Sequence, residues 1–341
     1  MCGGTGRYRG GVRERPADID ETGIRHSLRE WGIDAVRSDY APVGFGDHHW
    51  HVLDAGCRRW FVTVADLDHK EHCGADRAAA LDGLRRAMDT AAALAEDGGS
   101  GTVVAPSRTV RGRTVHRLGD RYTISVFPFV EGETGHFGQD LAAEERGRVI
   151  DLLAELHRQT PPAAVADRSL QLPGRHRLAA ALAGTGRPWA GGPYAEPARR
   201  LVAANAPGLR RRLAAFYRLA EQVGLGAGTP VVTHGEPHPG NLLWAGRRLL
   251  LVDWDTVGLA LPERDLWLVA ATSADLDRYA GRSGRVPDPA ALAFYRLRWD
   301  FSDAAEFLAC FRAPHDRTSD TERAWSGFGD TVRRLAADDS A

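Results

Sequence analysis

The chain has 341 residues, 43% hydrophobic and 26% charged, enough for two compact lobes around one cleft and too apolar for a disordered protein. A formal net charge of −1 excludes a global basic field of the kind that draws nucleic acid or an anionic membrane, so neither is an expected partner. Four cysteines (Cys2, Cys57, Cys73 and Cys310) are too few to staple such a chain and lack metal-site spacing. They read as reduced thiols of a soluble, cytoplasmic protein, because no apolar run approaches a membrane span and the start, MCGGTGRYRGGVRERP, has no apolar signal core.

Residues 1–17 are rich in Gly and Arg and are expected to form a disordered tail. DIDETGIRHSLREWG then predicts a short amphipathic helix stopped by Gly32. DYAPVGFG, HWHVLDAG and RRWFVTVADL read as three antiparallel strands joined by two turns. Residues 75–96 carry Ala78, Leu81, Leu84, Met88, Ala91 and Ala95 at helical spacing, with Gly98 and Gly99 just beyond. TVVAPSRT, RTVHRL and RYTISVFPFV predict three more strands, completing a small α+β lobe over residues 18–130.

At PFVEGETG the strand pattern stops, and residues 131–336 are predicted to be a larger, mainly helical lobe. Its helices fall at 141–159, 196–225, 265–280, 288–312 and 320–336. One β-like stretch interrupts them: PVVTH, NLLW and RLLLVDW, broken by glycines and prolines.

The polar residues of that stretch carry the chemistry. His234, Glu236, Asn241, Asp253 and Asp255 all flank short apolar runs, where tight turns hold side chains rigidly at a cleft. A carboxylate, a carboxamide and a second carboxylate form a hard-oxygen set suited to Mg²⁺, although singly each residue is also an ordinary turn former. Gly44 and Gly46 in VGFGDHH fit a plain hairpin turn.

The order H-G-E-x-x-x-x-N followed by V-D-W-D and PERDLW resembles the catalytic loop and metal motif of the aminoglycoside phosphotransferase family, within the protein-kinase-like superfamily. VFPFVEG looks like that superfamily's hinge, and LLAELH is similar to an early helix of its second lobe. The resemblance spans residues 20–335 and implies a two-lobed α+β protein-kinase-like fold. It also implies a small-molecule kinase that uses Mg²⁺ and takes the γ-phosphate of ATP or GTP to a hydroxyl of a small acceptor. By position, Glu236 is implied as general base, Asn241 and Asp253 as metal ligands, and backbone at Phe129 and Val130 as the purine seat. Gly44 and Gly46 would then approach the phosphates, His234 and Asp265 would brace the loop, and His238 would either touch phosphate or pack.

Three departures accompany the resemblance. Glu236 stands where the family usually has aspartate, which displaces the carboxylate by roughly 1 Å unless the backbone adapts. Thr63 stands where an ATP-binding lysine is usual, and helix 75–96 lacks the glutamate that pairs with it, offering only Asp82 and Asp89. Lys70 is expected to be a solvated surface lysine, with a relocated phosphate cation as the alternative. These departures keep open a catalytically silent nucleotide- or ligand-binding pseudokinase. On the acceptor side, Asp300, Asp303 and Glu306 share a helix face beside Tyr295 and Trp299, expected as a solvated surface with an amine-binding face as the alternative.

Overall fold

The computed structural model describes residues 15–44, 46–97, 101–226 and 228–337. The predicted tail lies outside the described residues as far as residue 14, as do Gly98, Gly99 and Cys2. The described residues form two compact units. One takes in residues 15–168 and 230–286; the other takes in residues 169–229 and 287–337.

Helix α1 (Glu21–Leu28) starts where the Asp20 carboxylate accepts the Thr22 N–H and is followed by a 3₁₀ turn that Gly32 ends at φ 69°. Strands β1 (Ala35–Ala41), β2 (His48–Asp54) and β3 (Arg59–Asp66) form the predicted antiparallel meander, with β1 starting earlier than expected. Helix α2 (Arg77–Glu96) is capped by the Asp76 side chain on the Ala79 N–H, and Gly83 lets the preceding segment lie on it. A Cβ at Gly83 would meet the Cys73 carbonyl oxygen at 2.0 Å. Strands β4 (His116–Leu118) and β5 (Tyr122–Pro128) complete a five-stranded sheet in the order β1-β2-β3-β5-β4.

The expected strand at TVVAPSRT is not one. Its backbone is shared out instead: Val104 donates to Leu251, Ser107 to Val126, and Thr102 accepts from Leu251. Pro106 cannot donate, so a continuous ladder is unavailable there.

The sheet has two different faces. Trp50, Val52, Val62, Val64, Ile124 and Val126 point to one side and bury Ile24 and Leu28 of α1, forming the core. The register pairs His49 with Thr63 and His51 with Phe61 on the opposite side.

Beyond the hinge come β6 (Glu133–Thr134) and α3 (Ala143–Leu156). Helices α4 (Arg175–Ala183) and α5 (Ala195–Leu225) belong to the other unit, and α4 was not anticipated. Strands β7 (Val231–Thr233), β8 (Leu242–Ala245), β9 (Arg248–Leu251) and β10 (Gly258–Ala260) follow; β7 pairs with β10, and β6, β8 and β9 form a small sheet. The predicted helix 265–280 is two, α6 (Glu263–Val269) and α7 (Ser273–Ser283), because Thr272 and Asp275 form a capping box that starts a new helix. Helices α8 (Pro289–Arg312) and α9 (Ser319–Ala336) close the chain's second unit, packing with α5. Among the described residues, no helix is long and apolar enough to cross a membrane. Cys57, Cys73 and Cys310 form no disulfide.

Candidate active site

The loop between β7 and β8 is built around one buried carboxylate. Asp265, fully buried at the start of α6, accepts the His234 N–H at 2.8 Å, the Gly235 N–H at 2.6 Å and the His157 Nε2–H at 3.1 Å. Burial alone would raise its pKa, but the His157 hydrogen bond and neighbouring positive charge hold it below the ordinary aspartate value. His157 hydrogen-bonds through Nδ1 to the Tyr279 hydroxyl at 2.8 Å, tying the loop to α3 and α7. This is the bracing expected of Asp265.

His234 braces from the other side. Its Nε2 lies 2.9 Å from the Val252 carbonyl and its Nδ1 accepts the Glu236 N–H at 3.3 Å, which places the ring proton on Nε2. Burial holds this histidine below its usual pKa, so it is neutral and suited to that double role. Gly235 takes φ +98°, and a Cβ there would fall 2.2 Å from the Arg264 guanidinium. Arg264 in turn donates to the Thr233 hydroxyl and the Thr256 carbonyl, at 2.7 and 2.8 Å.

Glu236 therefore leaves a turn whose backbone is held on both sides, and its side chain is itself mostly buried, 8% exposed. Pro239 opens a 3₁₀ turn that ends at Asn241. Asn241 Nδ2 donates to the Glu236 carbonyl at 2.9 Å, so the amide's Oδ1 is the end left for a cation. The β8–β9 hairpin then brings the second ligand candidate alongside. Its register pairs Leu242 with Leu251, and the Val252 N–H donates to the Asn241 carbonyl at 3.1 Å. Asp253 thus stands one residue beyond Asn241's own ladder partner, exposed, in the left-handed region at φ +64°. A non-glycine residue there is uncommon, though aspartate tolerates it better than most.

A carboxylate and a carboxamide oxygen across one hairpin fit Mg²⁺, which keeps waters and phosphate oxygens in its shell and needs few protein ligands. Among the described residues, no three His, Cys, Asp or Glu side chains form a metal cage of their own. Any cation held by Asn241 and Asp253 would therefore be completed by other ligands.

On the sheet, Gly44 and Gly46 both adopt positive φ, 77° and 87°, in the turn between β1 and β2. A Cβ at Gly44 would lie 3.3 Å from His49 Nε2. Thr63, at the position of the usual lysine, hydrogen-bonds to His49 Nδ1 at 3.2 Å. His49 also stacks on Phe61, and its desolvation lowers its pKa to about 4. The remaining exposed end of this face is aromatic: His51 meets Phe129 edge-on at 5.3 Å, and the Arg59 guanidinium lies over the Phe129 ring. The Phe129 N–H is engaged by the Arg59 carbonyl at 3.2 Å, which leaves its own carbonyl and the Val130 backbone for a base. His238 packs edge-on against Phe137.

Lys70 is not a solvated surface lysine. It is 1% exposed, with Nζ 2.8 Å from Asp47 Oδ2 and 2.6 Å from Asp255 Oδ2. The pair that a β3 lysine would make with α2 is absent at both ends. Asp82 faces Arg85, and Asp89 accepts from the Thr114 hydroxyl. In the helical unit, Asp300 and Asp303 are buried, not solvated, and Asp300 is 2.6 Å from Arg334. Asp300 is thereby tied to α9.

With this geometry in place, the sequence relationships become informative. The model of the phosphotransferase enzyme family matches residues 41–300, most of the chain. The chain belongs to this family. Protein StrN of Streptomyces griseus is 32% identical over 244 residues, covering 68% of this chain and 72% of that protein. Among solved structures, a spectinomycin phosphotransferase in complex with ADP and spectinomycin superposes with a TM-score of 0.71 at 16% identity, over 94% of this chain and 98% of that one. A microcompartment-associated aminopropanol kinase gives 0.61 at 18% identity, over 93% and 98%. An amicoumacin kinase in complex with AMP-PNP and Ca²⁺ gives 0.60 at 10% identity, over 93% of each chain. At these identities the structural likeness establishes the protein-kinase-like fold, and the family match establishes a phosphotransferase.

Proposed function

We propose that this phosphotransferase is a Mg²⁺-dependent kinase that moves the γ-phosphate of ATP or GTP to a hydroxyl of a small acceptor, amine-bearing acceptors included. The observation that carries this reading is the hairpin that sets Asn241 beside Asp253, with Glu236 on the same braced loop. Glu236 accepts the proton of the acceptor hydroxyl as that oxygen attacks phosphorus. Asn241 and Asp253 hold Mg²⁺, which when bound neutralises charge on the phosphates. Phe129 and Val130 receive the purine beside His51, and Gly44 and Gly46 let the β1–β2 turn approach the phosphates. The small hydroxylated substrates named for the structural neighbours, spectinomycin and aminopropanol, support the acceptor class.

The test is acceptor-dependent release of ADP or GDP, with spectinomycin, 1-amino-2-propanol and amicoumacin as first acceptors. We expect Mg²⁺-dependent turnover with a small hydroxylated amine, falling about a hundredfold or more in Glu236→Gln. Nucleotide binding without turnover on any hydroxylated small molecule would favour a silent module, the reading that Thr63's hydrogen bond to His49 supports.

A further inference from the structure

Lys70 is the single lysine among the 44 Lys and Arg residues of the chain. Everywhere else the sequence uses arginine, whose planar fork suits exposed pairs; here it uses a compact ammonium with three rotatable donors. That ammonium joins two functional turns. Asp47 directly follows Gly46 of the β1–β2 turn, and Asp255 lies two residues past Asp253.

The two carboxylates are held very differently. His72 Nε2 lies 2.9 Å from the same Asp255 oxygen that meets Lys70. Arg168 reaches the Asp255 carbonyl at 3.5 Å and the His72 carbonyl at 3.3 Å, and the Cys73 thiol also points to the Asp255 carbonyl. Asp47, by contrast, sits at the end of a glycine turn. Asp255 is thus held by a second side chain and through its carbonyl, whereas Asp47 follows a turn whose glycines take positive φ.

We propose that Lys70 is the cation that receives the nucleotide's phosphates in this chain. Asp255 keeps the ammonium in place, and Asp47 covers it until a polyphosphate takes Asp47's position. The proposal rests on the kinase reading above and gives a residue to the function that Thr63 cannot perform. It replaces a lysine–glutamate pair between β3 and α2 by a lysine–aspartate pair between the α2 approach and the metal turn.

Titration calorimetry with MgATP and MgGTP on wild type, Lys70→Met, Lys70→Arg and Asp47→Asn tests it. Loss of the cation should weaken binding roughly tenfold or more, with arginine recovering part of the loss. Asp47→Asn removes the competitor and should tighten binding several-fold, about the effect of one lost charged partner. A lysine that merely struts the two turns predicts the opposite sign for Asp47→Asn, and that result would overturn the proposal. Unchanged affinity in Lys70→Met would do the same. Lys70→Met leaves two carboxylates buried together, so Lys70→Met/Asp47→Asn is measured beside it; it too should bind weakly. An ATP acyl-phosphate reagent adds a second readout: Lys70 should be acylated, and excess MgATP should block it. Labelling confined to the N-terminal amine would count against the proposal. Wild type that binds neither nucleotide would sink the kinase reading itself, a result distinct from selective failure of the Lys70 variants.

Discussion

Replacing Asp265 by asparagine strikes the point on which the catalytic loop hangs. The carboxylate accepts three hydrogen bonds, from the His234 and Gly235 backbone and from His157, at 2.8, 2.6 and 3.1 Å, with no exposure to water. An amide of the same shape offers one oxygen and turns an NH₂ toward a donor, so at least one buried N–H loses its acceptor. Hydrogen bonds to charged groups contribute about 1.5–3 kcal/mol each, and breaking a buried charged network costs about 3–5 kcal/mol. For a unit of this size that corresponds to a fall of roughly 10 °C in the unfolding midpoint. Because Asp265 is held below the ordinary aspartate pKa, its contribution is complete above about pH 4 and is lost as the pH falls through the folded value. The deficit of Asp265→Asn should therefore be full at pH 7 and narrow only in strong acid. Circular dichroism melts at pH 7, with Asp120→Asn (98% exposed side chain) as control, make the comparison. A melt indistinguishable from that control would refute the scaffold argument.

Other consequences follow from the same geometry. Gly235→Ala forces a Cβ into the Arg264 guanidinium at φ +98°, so it should cost about 1–3 kcal/mol in urea unfolding and reduce turnover; a neutral result would mean the turn is not held as described. His49, lowered to about 4 by its burial, is neutral at pH 7 while an unfolded histidine takes up a proton near 6.5. Stability should thus fall as the pH drops from about 6.5 toward 4, and His49→Gln should flatten part of that slope, read from midpoints at pH 7 and 5.

What could be read from the sequence was local. The α1 stop at Gly32, the apolar spacing of α2 and the placing of Glu236 and Asn241 on one short loop are all written within a few residues of where they fall. The break between α6 and α7 was also present, as Thr272 followed three residues later by Asp275, but it was hidden inside a continuous helical pattern. TVVAPSRT misled because β-branched residues suggest a ladder, whereas its hydrogen bonds go to two separate strands. Lys70 could not be placed at all from its neighbours. Its partners are 23 and 185 residues away, and only the fold makes a buried cation of a residue in an otherwise charged segment. Asp303 was misjudged for a similar reason: helices from elsewhere in the chain pack against α8, and Asp303 is buried.

The central claim is that Asn241 and Asp253 make a metal-dependent nucleotide site with Glu236 as its base. Thermal unfolding with and without Mg²⁺ plus ATP or GTP tests it most directly, on wild type, Asp253→Asn and Glu236→Gln. Asparagine is the right replacement at Asp253 because it tolerates the left-handed backbone that alanine would strain. Nucleotide at 100 times its dissociation constant adds about 2.7 kcal/mol, a shift of several degrees. The account predicts a Mg²⁺-dependent shift in wild type and in Glu236→Gln that disappears in Asp253→Asn. An equal shift in Asp253→Asn, or none in wild type with either nucleotide, would contradict it.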